Sequence, residues 1–232
     1  MTSTPDSRSP QAAPSPLDIL RRYWGYEQFR GIQQEIIQSV LTGHDTLGLM
    51  PTGGGKSIAF QVPALALEGV CIVVTPLIAL MKDQVAHLRA RSITAAAIYS
   101  GQSRDEMLRH LDNAVFGAYK FLYVSPERLT TEIFQVKLRK MQVGLLTVDE
   151  AHCISQWGTL HLAMGLRLPP ALFADSADTQ VAARRARAGA DRNGHDRGGA
   201  RYLCPSGLAR IEPRCDGHPA RRGRDGGGIP GV

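Results

Sequence analysis

"DTLGLMPTGGGKSIAF", Asp45 to Phe60, decides how this chain is read. Its first six residues form a short apolar strand and three consecutive glycines a turn. From Ser57 to about Leu67 the apolar spacing predicts a helix. At such a strand–glycine–helix junction backbone N–H groups can surround phosphate oxygens, because Gly53, Gly54 and Gly55 carry no Cβ to block the approach. Lys56 is placed to reach the β- and γ-phosphates of a nucleotide and Ser57 to ligate its Mg²⁺, with Thr52 counted in the same loop. The pattern G-x-x-x-x-G-K-[ST] begins on Gly, and here Met50 stands in that position.

Outward from this loop the chain alternates apolar strands with helical patterns. Leu17–Trp24 and Ile32–Leu41 carry helix-spaced apolar residues ahead of it. After it come the strand "VCIVVT" and a helix from Leu77 to about Arg91. Then "TAAAIY", "KFLYV" and "VGLLTV" read as strands, with helices near Asp105–Val115 and Leu129–Lys140. Near-continuous apolar strands separated by helices imply an α/β fold, a parallel sheet with helices on both faces. Ligands of such sheets sit beyond the carboxyl ends of the strands. There "LLTVDEAH" sets Asp149 to hold Mg²⁺ and Glu150, one residue further on, to polarise an attacking water. Lys56, Asp149 and Glu150 are thus the expected catalytic set, with Ser57 and Asp149 on the metal.

Composition bounds the function less than the total charge suggests. A chain of 232 residues has room for one large domain or two small ones, and its net charge is +6. Residues 159–232 hold 12 Arg, no Lys and 7 acidic residues, which leaves only +1 for residues 1–158. The most apolar stretch, "VCIVVTPLIAL", is broken by Thr75-Pro76 and is too short to span a bilayer, so no membrane partner is expected. Residues 1–16 read as a disordered, Pro- and Ser-rich lead-in rather than a signal peptide. The 4 cysteines show no disulfide framework, which suits a reducing cytoplasm.

With these residues in hand, the segment 17–158 resembles a RecQ-type ATP-dependent DNA helicase. The resemblance implies the first RecA-like lobe of a P-loop NTPase, with ATP and Mg²⁺ as cofactors and single-stranded or partly duplex DNA as partner. It also implies 3′ to 5′ unwinding in recombination and repair, in the bacterial cytoplasm or nucleoid. "GYEQFRGIQ", Gly25–Gln33, resembles the family's motif ahead of the phosphate loop: Tyr26 and Arg30 would sandwich adenine and Gln33 would read its edge. "TPLIALMKDQV" resembles the loop that lies along DNA, with Thr75 and Pro76 at its start, and "YVSPERL", Tyr123–Leu129, the next DNA-side element. "DEAHCISQWG" is the most specific: by likeness Trp157 would stack on a base, while His152 and Gln156 would link that contact to the phosphates.

After Gly158 the likeness stops. Arg, Gly and Ala supply 12 residues each of the last 74 and Pro supplies 6, and no apolar period persists. The expectation is a disordered tail over 159–232, a shifted or otherwise aberrant reading of the gene. "ARRGRDG" and the irregularly spaced His195, Cys204, Cys215 and His218 are accounted for by chance in this background. The family's second lobe, which bears the arginine fingers, has no counterpart in this sequence. The chain would therefore bind ATP but turn it over weakly and not unwind. Two other readings stay open: an RNA-remodelling relative, and a nucleotide-binding remnant whose Arg-rich tail adheres to nucleic acid.

Overall fold

Every residue of Val70–Val74 is buried, and so is every residue of Phe121–Val124. Alternate side chains of a strand point to opposite faces, so these strands must be covered on both sides. The computed structural model describes residues 14–51 and 53–150, together with the strand backbone of 179–185, 201–204 and 207–210. Along the chain run α1 (Pro16–Trp24), α2 (Gln33–Leu41), β1 (Thr46–Met50), α3 (Lys56–Ala66), β2 (Val70–Val74), α4 (Ile78–Ala90) and β3 (Ala95–Ile98). They continue with α5 (Arg104–Val115), β4 (Phe121–Val124), α6 (Pro126–Leu129), α7 (Glu132–Leu138) and β5 (Val143–Asp149). β6 (Thr179–Arg185), β7 (Arg201–Cys204) and β8 (Gly207–Arg210) follow.

The two faces of the sheet hold two separate cores. On one, Ile72, Val74, Ile98, Leu122 and Val124 pack with Met107 and Leu111 of α5 and Phe134 of α7. On the other, Cys71, Val73, Phe121 and Tyr123 pack with Phe60 of α3 and Met81, Val85 and Leu88 of α4. Burial of one such large side chain contributes roughly 1.5–3 kcal/mol. The expected three-layer α/β architecture is present, and β3, β4, β2 and β5 pair in parallel as expected. Gly144 at the start of β5 passes so close to the turn before β2 that a Cβ would collide with the carbonyl oxygen of Glu68.

Three details differ from the sequence reading. Ser15 caps α1, its hydroxyl accepting from the Asp18 N–H while the Asp18 carboxylate accepts from the Ser15 N–H. Ser15 and Pro16 therefore belong to the folded unit and not to the lead-in. The helix expected over Leu129–Lys140 is two short ones. Thr130 and Thr131 donate their hydroxyls to the carbonyls of Glu127 and Arg128, a local bonding that competes with helix continuation. Finally, regular structure does not end near Gly158. β6 lies antiparallel between β5 and β1, β7 pairs parallel with β1, and β8 antiparallel with β7, in the order β3-β4-β2-β5-β6-β1-β7-β8. Ladder hydrogen bonds use backbone groups that every non-proline residue carries, so such pairing needs no apolar period and leaves none to be read. The remaining parts of the lead-in and of the tail lie outside the described residues.

Candidate functional site

The loop between β1 and α3 sits at the carboxyl end of the sheet. Met50 does not occupy the loop mouth: it is buried against Ile36 and Ala59, so the residue at the missing glycine position fills the core beneath the turn. Gly54 donates its N–H to the Pro51 carbonyl at 2.9 Å, closing the turn. Gly55 adopts φ +73° as the residue before α3, a conformation open to glycine at little cost, and no side chain caps the helix there. The leading N–H groups of α3 and the positive end of its dipole therefore face the mouth, an arrangement suited to an anion.

Two chain segments 94 residues apart meet at this mouth. Lys56 Nζ donates to Glu150 Oε1 at 2.9 Å, with the two side chains only 18 % and 17 % exposed. β5 carries Asp149 to the same end, where it is 5 % exposed and its Oδ1 accepts from the Glu150 N–H at 3.0 Å. Glu150 itself sits at φ +56°, a left-handed conformation that bends the chain out of the strand and turns its carboxylate back toward Lys56. Of the expected catalytic set, Lys56 and Glu150 are in contact and Asp149 adjoins them. The ion pair itself was not read from the sequence, since nothing in either motif says what the lysine holds before a phosphate arrives.

Gln33 is buried and braces the loop: its Oε1 accepts from the Arg30 N–H at 2.9 Å and its Nε2 donates to the carbonyls of Gly54 and Gly55 at 3.1 Å each. Both amide hydrogens are committed, so reading a base edge requires release of one glycine carbonyl. The Arg30 guanidinium stacks on the Tyr26 ring, 5.4 Å from its centroid. A sandwiched base needs about 7 Å between the flanking planes, twice a carbon contact distance, so the pair must part to admit one. Tyr26 is 44 % exposed.

Ser57 is engaged from a direction the motifs do not announce. Gln84 of α4 donates Nε2 to Ser57 Oγ at 2.8 Å. At the turn into α4, Leu77 is 54 % exposed, while Thr75 is 1 % exposed and its Oγ1 has no partner among the described residues. Contact of that hydroxyl with a phosphate requires the Thr75–Pro76 turn to open. Nearby, burial opposes the charge of Glu127, yet hydroxyls donated by Ser100 and Ser125 hold its carboxyl below the usual range and tie two loops of this face together. Thr52, His152, Gln156 and Trp157 lie outside the described residues.

The residues fit Mg²⁺ with a nucleotide. Ser57 and Asp149 offer hard oxygen donors, and Mg²⁺ takes one or two protein oxygens while phosphates and water supply the rest. Residues 30–168 match the family model described as DEAD/DEAH box helicase. The chain belongs to this helicase family. The match runs ten residues past Gly158. The helicase chain is 51 % identical over 141 residues to the ATP-dependent DNA helicase RecQ of Bacillus subtilis (strain 168), covering 60 % of this chain and 24 % of that protein. It is 48 % identical over 143 residues to RecQ of Synechocystis sp., covering 61 % and 30 %. The chain thus spans about a quarter of the length of such relatives. In fold it is similar to a hypothetical ATP-dependent RNA helicase from Sulfolobus tokodaii, with TM-score 0.50 and 22 % identity over 62 % of this chain and 44 % of that one. No helix among the described residues is long and apolar enough to cross a membrane.

Proposed function

We propose that residues 17–158 are the ATP-binding lobe of a RecQ-type DNA helicase, acting on cytoplasmic DNA, and that this chain binds Mg-ATP but hydrolyses it slowly and does not unwind. The single observation that carries the reading is the Lys56–Glu150 pair at 2.9 Å, the phosphate-loop cation set against the carboxylate that would polarise water. Mg²⁺, when bound, neutralises charge on the phosphates. The chain's own groups do the rest: loop N–H groups and Lys56 hold the phosphates, Ser57 and Asp149 would hold the ion, Glu150 would orient water, and Tyr26 with Arg30 would stack the base. By the family resemblance an arginine finger comes from a second lobe and is worth about 10³ to 10⁵ in rate, which is why weak turnover is expected. DNA contact is assigned to Thr75, Pro76, His152, Gln156 and Trp157. Although β6, β7 and β8 join the sheet through backbone groups that any sequence carries, residues from about Thr159 are read as an aberrant translation of the gene, which the nucleotide sequence after codon 158 in its other two frames tests directly.

Titration of a fluorescent ATP analogue tests the site. A charge-assisted hydrogen bond to phosphate contributes about 1.5–3 kcal/mol, so Lys56→Ala should weaken binding by about 10- to 100-fold. Equal affinities for the wild type and the variant would overturn the assignment. Robust DNA-stimulated hydrolysis, abolished by Glu150→Gln, would overturn the expectation of weak turnover.

A further inference from the structure

The hydrogen bond on Ser57 is the first link of a chain that crosses the interface of α3 and α4. Gln84 Oε1 accepts from Gln61 Nε2 at 2.9 Å, and Gln61 Nε2 also donates to the Tyr123 hydroxyl at 3.2 Å. Gln61 is 3 % exposed and Tyr123 fully buried, and they lie among Phe60, Met81 and Val85 of one apolar core. Polar groups persist in such a place only when fully bonded, and each link fixes the next. Gln84 Oε1 is occupied by the Gln61 donor, so the Gln84 amide can turn over to accept from Ser57 only if the Gln61 amide turns with it, Gln61 Oε1 then accepting from Gln84 and Tyr123. In either setting Gln84 holds Ser57 Oγ from the α4 side.

That constraint sets the hydroxyl. A serine hydroxyl has one hydrogen and two lone pairs. With one of these three directions taken by Gln84, the other two point away from it, and at least one of them is a lone pair free for a metal. We propose that Gln84 is a positioning residue that aims Ser57 Oγ at the bound Mg²⁺, so that the seating of α4 controls how well the site holds the metal. The helix is suited to this. It begins three residues after Thr75, and Gln84 lies six residues beyond its first residue, about 9 Å along its axis. The far end of the relay, Tyr123, lies two residues before Ser125. The strand-to-helix turns after β2 and β4 are thereby both tied to Ser57.

The inference rests on the Mg-ATP reading of the site, and the test separates the two. Affinity of the full chain for a fluorescent ATP analogue is measured in Mg²⁺ and in EDTA, and the ratio gives the enhancement due to the metal. Outer partners of metal ligands change metal affinity by about 10- to 100-fold, so Gln84→Met should lower the ratio about 10-fold and leave the EDTA affinity unchanged. Gln84→Ala, which removes the amide without adding a charge beside the metal, should lower it likewise if the methionine variant does not fold. In a Ser57→Ala background Gln84→Met should have no further effect, because the two act as one unit. A wild-type ratio in both Gln84 variants would overturn the inference. So would equal loss with and without Mg²⁺, the result of a merely structural role. Failure of the wild type to bind better than Lys56→Ala would overturn the nucleotide reading instead, and this inference with it.

Discussion

Glu150→Gln is the substitution whose two effects must have opposite signs. Lys56 and Glu150 approach to 2.9 Å with more than four-fifths of each side chain buried. At an effective dielectric constant of about 20 the gross attraction is about 6 kcal/mol, most of which is offset by removing both charges from water. Glu150→Gln removes the second charge of the pair while the Lys56 ammonium still donates to an oxygen, a loss of about 1 kcal/mol once desolvation is set against the attraction. The nucleotide-free protein should therefore lose about 1 kcal/mol, a fall in Tm of about 2–4 °C for a chain of this size. Phosphate binding requires Lys56 to leave Glu150, and in the variant that cost is already smaller by the same amount. Affinity for the ATP analogue should rise about five-fold, helped further by loss of a negative charge beside the phosphates. The assay pairs thermal melts without nucleotide with fluorescence titration. Unchanged or weaker binding, or a higher Tm without nucleotide, would refute the idea that the pair holds Lys56 in reserve.

Three further outcomes separate the site from its scaffold. Gly55→Ala places a Cβ against the Gln33 amide at φ +73°, so beyond about 1–2 kcal/mol of backbone strain it should displace the brace and weaken nucleotide binding at least about ten-fold; normal affinity by titration would show that Gln33 does not shape the loop. Gly144→Ala, whose Cβ would strike the Glu68 carbonyl, should cost about 3 kcal/mol in a urea melt, yet leave the affinity of the folded protein unaltered. Burial pushes the Cys71 thiol from 9.0 up to about 12. Its contribution to stability is complete below pH 9 and declines as pH rises toward 12, because the unfolded thiol gives up its proton first. Melts from pH 8 to 11 should show this decline in the wild type and a shallower one in Cys71→Val; parallel curves would refute it.

The strand–loop–helix order and the burial of both sheet faces were legible in the sequence because they rest on local rules. Strand periodicity, the freedom of Gly53 to Gly55 and acidic residues at a strand end all act within a few residues of one another, and each survives in the fold. Lys56, Ser57, Asp149 and Glu150 were singled out this way. What the sequence did not contain was pairing across space. The Gln33 brace, the Lys56–Glu150 pair and the Gln84–Gln61–Tyr123 relay join residues 21 to 94 positions apart, and a glutamine on a helix face carries no mark of its partner. The same holds for β6 between β5 and β1, where backbone groups common to all residues make the contacts. Local chemistry determined which residues can serve the site. Only tertiary packing decided which of them hold one another, because a buried amide or ammonium must find its partner wherever the closed core leaves one.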